Sequence, residues 1–175
     1  MNNRYFNNKA TLVLAAAVAM LAFAAPAFAA TSGTLTLQGT VPGILEISVT
    51  PTAAASALDL TANTTNLLVA TVNERSNRKA GYTVSLQSAN AAAASANAAF
   101  LKSAAADNAD TLGYTMSYDG VAVALAGGVA QVSDVSAKTA AGGTDKELRI
   151  SYDGAVSYLN ADDYADTLTL TITAK

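Results

Sequence analysis

The chain contains no cysteine, no histidine and no tryptophan. Without cysteine it has neither a disulfide nor a thiolate that could act as a nucleophile or a metal ligand. Without histidine it lacks the side chain that most often serves as a general base or holds a transition metal. The stability of the folded chain must therefore come from packing, strand pairing or assembly.

Charge is also scarce, since Asp, Glu, Lys and Arg make up only 13% of the chain and the formal net charge is −3. Nucleic-acid-binding proteins need clustered Lys and Arg on one surface. The sequence therefore predicts no nucleic-acid partner. Several charges do meet at Asn73–Lys79, which lies between two predicted strands. This segment is either a solvated hairpin loop or a contact for a receptor or a neighbouring subunit.

The beginning of the chain is typical of a secretion signal. Arg4 and Lys9 supply positive charge, Leu12–Ala25 is apolar but short for a membrane span, and Ala27–Ala29 has the small-x-small pattern of a cleavage site. We expect cleavage before Ala30. No second long apolar run follows, so the mature chain is predicted to be exported and to have no membrane span.

The remainder of the chain has the pattern of an all-β protein. Short segments that alternate, or that are rich in β-branched and aromatic residues, are separated by Gly, Asn, Asp, Ser or Pro. The candidate strands are Ile44–Thr50, Leu67–Val72, Tyr82–Ser88, Leu112–Tyr118, Val121–Leu125, Glu147–Tyr152 and Asp166–Thr173. Their number and spacing predict a β-sandwich of the immunoglobulin type, with a closed barrel as the alternative.

Two kinds of connection are predicted between these strands. Tyr118–Val121 contains Asp-Gly, which tolerates the positive φ angles of a tight type I′ hairpin, and Tyr152–Gly154 repeats this signal. Asn90–Asp110 is instead rich in alanine and offers little to a β core. Because alanine favours helix, we expect a helix over Ala91–Lys102.

The segment Thr34–Val41 is a two-faced strand pattern just after the predicted cleavage site. One face carries Leu35, Leu37, Gly39 and Val41, and the other carries Thr34, Thr36, Gln38 and Thr40. Such a segment can pair with another subunit, form the first strand of its own complete domain, or remain unstructured. The first alternative predicts a building block rather than a catalyst.

Both ends of the chain carry a resemblance to a known family. Gly33–Val41 resembles the N-terminal extension of chaperone-usher fimbrial subunits, and Asp163–Thr173 resembles the last strand of fimbrial and spore-coat-U-like domains. In that family the fold lacks its final strand, and the extension of a neighbouring subunit fills the gap. The chain departs from many such subunits because it has no cysteine and no aromatic residue next to its C-terminus.

The resemblance implies an organisation and a set of roles. Residues 1–29 would be the signal peptide, 30–42 the donor-strand extension and 43–175 an immunoglobulin-like β-sandwich that is incomplete until a donor strand completes it. The implied donor residues are Leu35, Leu37, Gly39 and Val41. The implied acceptor-groove residues are Ile44, Leu168, Leu170 and Ile172.

The resemblance also implies a function and partners. The chain would be a structural subunit of a bacterial fimbria that supports adhesion or biofilm formation. Its partners would be identical or related fimbrial subunits, a periplasmic chaperone, an outer-membrane usher and a surface receptor. It would pass through the periplasm to the cell surface or an extracellular fimbrium. The alternative is a self-contained secreted β-sandwich that acts as a binding or coat protein.

No catalytic, cofactor or metal site is predicted. Asp162 and Asp163 are adjacent, but neighbours on a strand face opposite ways, and no serine is accompanied by a base or a glycine elbow. Asn160–Asp166 collects oxygen-bearing side chains but lacks the register of an EF-hand loop. We interpret it as an Asn/Asp turn that leads into a strand.

Overall fold

The computed structural model describes residues 31–175, and the predicted signal peptide lies outside this range. Residues 41–175 form one compact unit, and residues 31–40 do not belong to it. Within the described range, none of the helices has the length and apolar character that a membrane crossing requires.

The unit formed by residues 41–175 is built almost entirely of strands, so the predicted all-β class is confirmed. A short 3-10 helix, Ala53–Ser56, follows the first strand, and one short helix, α1 (Ala89–Ala93), follows the third. The strands are β1 (Leu45–Pro51), β2 (Asn63–Ser76), β3 (Tyr82–Ser88), β4 (Ala99–Ser103), β5 (Thr111–Tyr118), β6 (Val121–Ala122), β7 (Val129–Val135), β8 (Thr144–Asp153), β9 (Tyr164–Ala165) and β10 (Leu168–Ala174).

The strands form two antiparallel sheets. The first sheet has the order β1-β2-β8-β5-β4-β9, and the short β6 also pairs with β5. The second sheet has the order β10-β3-β7. One hydrophobic core takes side chains from both sheets, including Val72 of β2 and Leu148 of β8 from the first and Leu86 of β3 from the second.

Alternation along the strands explains which side chains enter this core. In β5, the residues Leu112, Tyr114, Met116 and Tyr118 are buried, while the residues between them are small or hydroxyl-bearing and more exposed. The hairpin predicted after β5 is confirmed. Asp119 and Gly120 have φ angles of 49° and 79°, and Tyr118 pairs with Val121, as in a type I′ turn.

The helix predicted over Ala91–Lys102 is wrong for most of its length. Helix α1 ends at Ala93, and Ala99–Ser103 is strand β4, which pairs with β5 and β9. Pairing buries Ala99 and Leu101 in the core. The free energy of this burial and of the ladder outweighs the helix propensity of alanine, which is only a weak preference.

The second hairpin prediction is also wrong. Asp153 is the last residue of β8, and the next residue, Gly154, continues beside the start of β2, where its N–H donates to the carbonyl of Ala62. A Cβ on Gly154 would lie 2.2 Å from the carbonyl oxygen of Leu60. Glycine is therefore required here for close backbone approach and not for a tight turn.

The charged segment Asn73–Lys79 is only partly a loop. Strand β2 continues to Ser76, so the turn to β3 comprises residues 77–81, and Glu74 is fully buried. The interpretation of this whole segment as a solvated hairpin loop is therefore wrong for its first half.

Candidate functional site

Each sheet has an edge strand, paired on one side only, and these two edge strands lie close to each other. β1 is the edge of the first sheet and bonds only to β2, and β10 is the edge of the second sheet and bonds only to β3. Cα atoms of β1 and β10 approach within 8 Å, yet no ladder joins the two strands within the described residues. An unpaired strand edge is a template for pairing with another strand.

The hydrogen bonds of β1 show which backbone groups face the open side. The N–H of Thr52 donates to the carbonyl of Val69 over 2.9 Å, and the carbonyl of Ile44 accepts from the N–H of Asn77 over 3.3 Å. In an antiparallel pair such bonds recur at every second residue. The backbone groups of Leu45, Ile47 and Val49 therefore point away from β2. The backbone of Pro51 also faces away from β2, two residues after Val49. Proline is tolerated there because its missing N–H removes no bond to β2.

The same reasoning applies to β10. The carbonyl of Thr167 accepts from the N–H of Ala89 over 2.9 Å, and the N–H of Lys175 donates to the carbonyl of Gly81 over 3.3 Å. The threonines of β10 thus bond toward β3. The backbone groups of the half-buried Leu168, Leu170 and Ile172 point to the open side.

A groove of about 1110 Å³ opens between the end of β1 and the start of β10. Val49 and Pro51 line it from β1, and Leu168 and Leu170 line it from β10. Buried core residues, among them Leu101, Tyr114, Leu148 and Ile150, also line it. The loop after β8 forms part of its wall and carries Tyr158, whose side chain is 98% exposed.

The structure places the predicted acceptor residues in two groups. Leu168 and Leu170 line the groove. Ile172 shares their face farther along β10, and Ile44 precedes β1, where its N–H donates to Asn77 Oδ1 over 2.7 Å.

The predicted donor residues lie outside both sheets. Residues 31–43 are in no strand, so the first strand of either sheet is β1. Leu35, Leu37 and Val41 are 84%, 85% and 83% exposed, respectively. Gly39 has no neighbouring atom that an added Cβ would contact.

A buried carboxylate links the two sheets at the end where β2 finishes. Glu74 of β2 accepts hydrogen bonds from Tyr82 OH of β3 at 2.9 Å, Tyr118 OH of β5 at 2.5 Å and Ser133 Oγ of β7 at 2.7 Å. None of the ion pairs within residues 31–175 includes Glu74. Three hydroxyl donors therefore stabilise this charge in place of a cation.

A second carboxylate links the sheets at the opposite end. Asp166 accepts from Ser88 Oγ of β3 and from Tyr114 OH of β5, both at 2.6 Å, and from the N–H of Asn90 at 3.0 Å. Sequence reasoning placed Asp166 in a turn and missed both links. In a chain without disulfides, these two carboxylate clusters cross-link the sheets non-covalently.

The other carboxylates of Asn160–Asp166 serve the loop itself. Asp162 accepts from Ser103 Oγ, from Asn108 Nδ2 at 3.2 Å and from the N–H of Ala105 at 3.3 Å. The hydrogen bond from Ser103 is the main cause that lowers the pKa of Asp162. Within the described residues, no three acidic side chains converge on a point where a metal ion could sit.

Three buried tyrosines predict that the protein loses stability in alkaline solution. Burial raises the pKa of Tyr82, Tyr114 and Tyr118, and the nearby carboxylates Glu74 and Asp166 raise it further. The native state therefore holds these protons more tightly than the unfolded chain does. The stabilisation is fully present below about pH 10 and declines above it, by about 1.4 kcal/mol per pH unit for each tyrosine.

Urea unfolding between pH 8 and pH 11 measures this decline. Tyr114→Phe should make the plot of unfolding free energy against pH less steep, by the contribution of about one proton. Tyr158→Phe, which removes the hydroxyl of a fully exposed tyrosine, is the matched control and should leave the slope unchanged. A free energy of unfolding that stays constant up to pH 11 would contradict the assignment.

Comparison of the chain with models of known protein families finds no match. Comparison with curated proteins likewise finds no similar sequence. The groove and the segment Thr34–Val41 are the features of this chain that bear on its function.

Proposed function

We propose that this chain is a structural subunit of a bacterial surface fibre, and that it polymerises by donating Thr34–Val41 to the groove of another copy. The observation that carries the proposal is that β1 and β10 each have an open edge beside one groove, which apolar core residues and four aspartates line. Both edges direct backbone donors and acceptors toward the open side. A single inserted strand would satisfy both rows of groups.

The dimensions and chemistry of the donor segment support this occupant. Thr34–Val41 has eight residues and spans about 26 Å when extended, and β1 and β10 have seven residues each. Leu35, Leu37 and Val41 would each contribute about 1.5–3 kcal/mol when fully buried. A strand paired on both sides needs its neighbours about 9.5 Å apart. The closest part of β1 and β10 therefore has to separate when the strand enters.

The completed body would be an immunoglobulin-like β-sandwich in which the donor supplies the missing strand between β1 and β10. A donor and a groove at different places on one chain make a heterologous contact, which continues into a filament unless it closes into a ring. Such a fibre on a bacterial surface would serve adhesion or biofilm formation. Export through the periplasm, with a chaperone that protects the open groove and an outer-membrane usher, completes the proposal.

One observation favours the alternative of a self-contained secreted binding or coat protein. The clusters around Glu74 and Asp166 hold the two sheets together at both ends without any added strand. In that alternative the groove between β1 and β10 would bind another ligand or remain open, and the mature chain would be monomeric.

Two substitutions on opposite faces of the donor segment distinguish these proposals. Leu37→Arg would bring a charge against the apolar core residues that line the groove, and it should abolish polymers, because burying a charge against apolar side chains is strongly unfavourable. Thr36→Arg lies on the other face and should leave assembly largely intact. Electron microscopy and sedimentation of the secreted mature chains measure the outcome. If both variants assemble equally well, or both fail equally, the two-faced donor is refuted.

A further inference from the structure

The two ends of the body differ in the charged residues that they carry. We define the basic end as the end where β1 begins, β10 finishes and residues 77–81 connect β2 to β3. Five basic residues lie there, Arg75, Arg78, Lys79, Lys138 and Lys175, together with four acidic residues, Glu46, Glu74, Asp134 and Asp145. Arg75 pairs with Glu46 and Lys175 with Asp134. The exposed Arg78, Lys79 and Lys138 have no carboxylate partner among residues 31–175.

The opposite end is acidic. We define the acidic end as the end where β1 finishes, β8 finishes and β10 begins. Seven aspartates lie there: Asp59, Asp107, Asp110, Asp153, Asp162, Asp163 and Asp166. The only basic residue beside them in the described range is Lys102. Four of the aspartates, Asp59, Asp162, Asp163 and Asp166, also line the groove.

The donor segment joins the body at the basic end. Asn77 of the β2–β3 turn donates from Nδ2 to the carbonyl of Pro42 over 2.7 Å, and Asn77 Oδ1 accepts from the N–H of Ile44. The chain therefore enters β1 beside Arg78 and Lys79. The groove opens at the far end of the same strand, where Val49 and Pro51 line it.

We infer that the basic end of one copy docks on the acidic end of the next, and that this charge complementarity steers and orients head-to-tail assembly. The inference rests on the proposed donation of Thr34–Val41. A donor strand antiparallel to β10 finishes at the acceptor's acidic end, so the donor's own basic end arrives there. A donor strand parallel to β10 would instead place two basic ends together.

The expected effect is mainly on the rate of association. Charges steer encounters over distances comparable to the Debye length, about 10 Å at 0.1 M salt. Complementary surfaces raise association rates by about 10- to 1,000-fold at low salt, and the advantage falls as salt is added. The groove contacts decide whether the polymer forms, and the ends decide how fast copies meet in the productive orientation.

Charge reversal at selected positions of each end tests this inference. Arg78→Glu with Lys79→Glu reverses two charges at the basic end. Asp107→Lys with Asp153→Lys reverses two charges at the acidic end, at exposed positions that do not line the groove. Light scattering follows polymerisation of the mature chains from low to high salt. Each double variant should polymerise about tenfold or more slowly than the parent at low salt, and the difference should shrink at high salt. The quadruple variant has the parent's net charge but leaves both ends negative, so it should polymerise as slowly as the doubles. That result would exclude the net charge of the chain as the cause.

Two outcomes would overturn the inference: a parent rate that does not depend on salt, or a quadruple variant as fast as the parent. Leu37→Arg, added to the parent, to each double variant and to the quadruple variant, separates docking of the ends from insertion of the donor strand into the groove. Static light scattering should show a stronger salt-sensitive attraction for the parent background than for the double and quadruple backgrounds. If the chains that carry Leu37→Arg show this attraction while the parent without that change forms no polymer, strand donation is refuted and the docking of the ends is supported. If they show no such attraction, the docking of the ends fails.

Discussion

A copy of Thr34–Val41 appended after Lys175 through a short turn should convert residues 44–175 into a stable, soluble monomer. Strand β10 ends at Ala174, one residue before Lys175. An antiparallel strand can return from there beside it, along the side on which Leu168 and Leu170 have free backbone groups. The tether raises the effective concentration of the strand to the millimolar range or above. Residues 44–175 alone should aggregate, because two edges and an apolar groove remain open.

The gain in thermal stability should be large. A net stabilisation of a few kcal/mol raises the Tm of a domain of this size by roughly 10 °C or more. Differential scanning calorimetry and light scattering of the two chains measure Tm and molecular mass. A control tail in which the copied segment carries Leu37→Arg should give no gain. If residues 44–175 alone are already a stable monomer and neither tail changes Tm, the body is complete and strand donation is refuted.

Loss of the buried carboxylate should have the second large effect. Glu74→Leu keeps a side chain of similar size but leaves the hydroxyls of Tyr82, Tyr118 and Ser133 without their common acceptor. Each buried donor left unsatisfied costs about 1–3 kcal/mol. We expect the free energy of unfolding to fall by about 3 kcal/mol or more.

Urea unfolding at neutral pH measures this loss. Glu46→Leu, on the neighbouring strand β1, is the matched control, because Glu46 forms an exposed ion pair with Arg75 at 3.1 Å. Exposed pairs contribute about 0–1 kcal/mol, so this variant should be nearly as stable as the parent. Equal losses in the two variants would show that the Glu74 cluster does not cross-link the sheets.

Much of the strand pattern could be predicted from local sequence. Alternation placed β3 at Tyr82–Ser88, and it put Leu168, Leu170 and Ile172 on one face of the last strand. The Asp-Gly pair predicted the hairpin after Tyr118. These features depend on side-chain direction within a strand or on the φ angles of a few consecutive residues. Local sequence is sufficient to specify both.

Sequence reasoning failed where a partner distant in the chain decided the outcome. Ala99–Ser103 became strand β4 because β5 and β9 pair with it, and strand β7 was not predicted at all. Glu74 lies in a charge-rich stretch typical of a loop, but its three hydroxyl donors come from β3, β5 and β7. No window of local sequence contains those donors.

The sequence by itself determined the absence of disulfides, the β class of the body and the alternating pattern of Thr34–Val41, because composition and alternation are properties of the unfolded chain. The tertiary structure alone decided that β1 and β10 are both edges, that a groove opens between them and that seven aspartates collect at the end opposite Arg78 and Lys79. Each of these depends on which strands pair. Pairing depends on burial and hydrogen bonding between segments far apart in sequence. These contributions to the free energy exist only once the sheets have assembled.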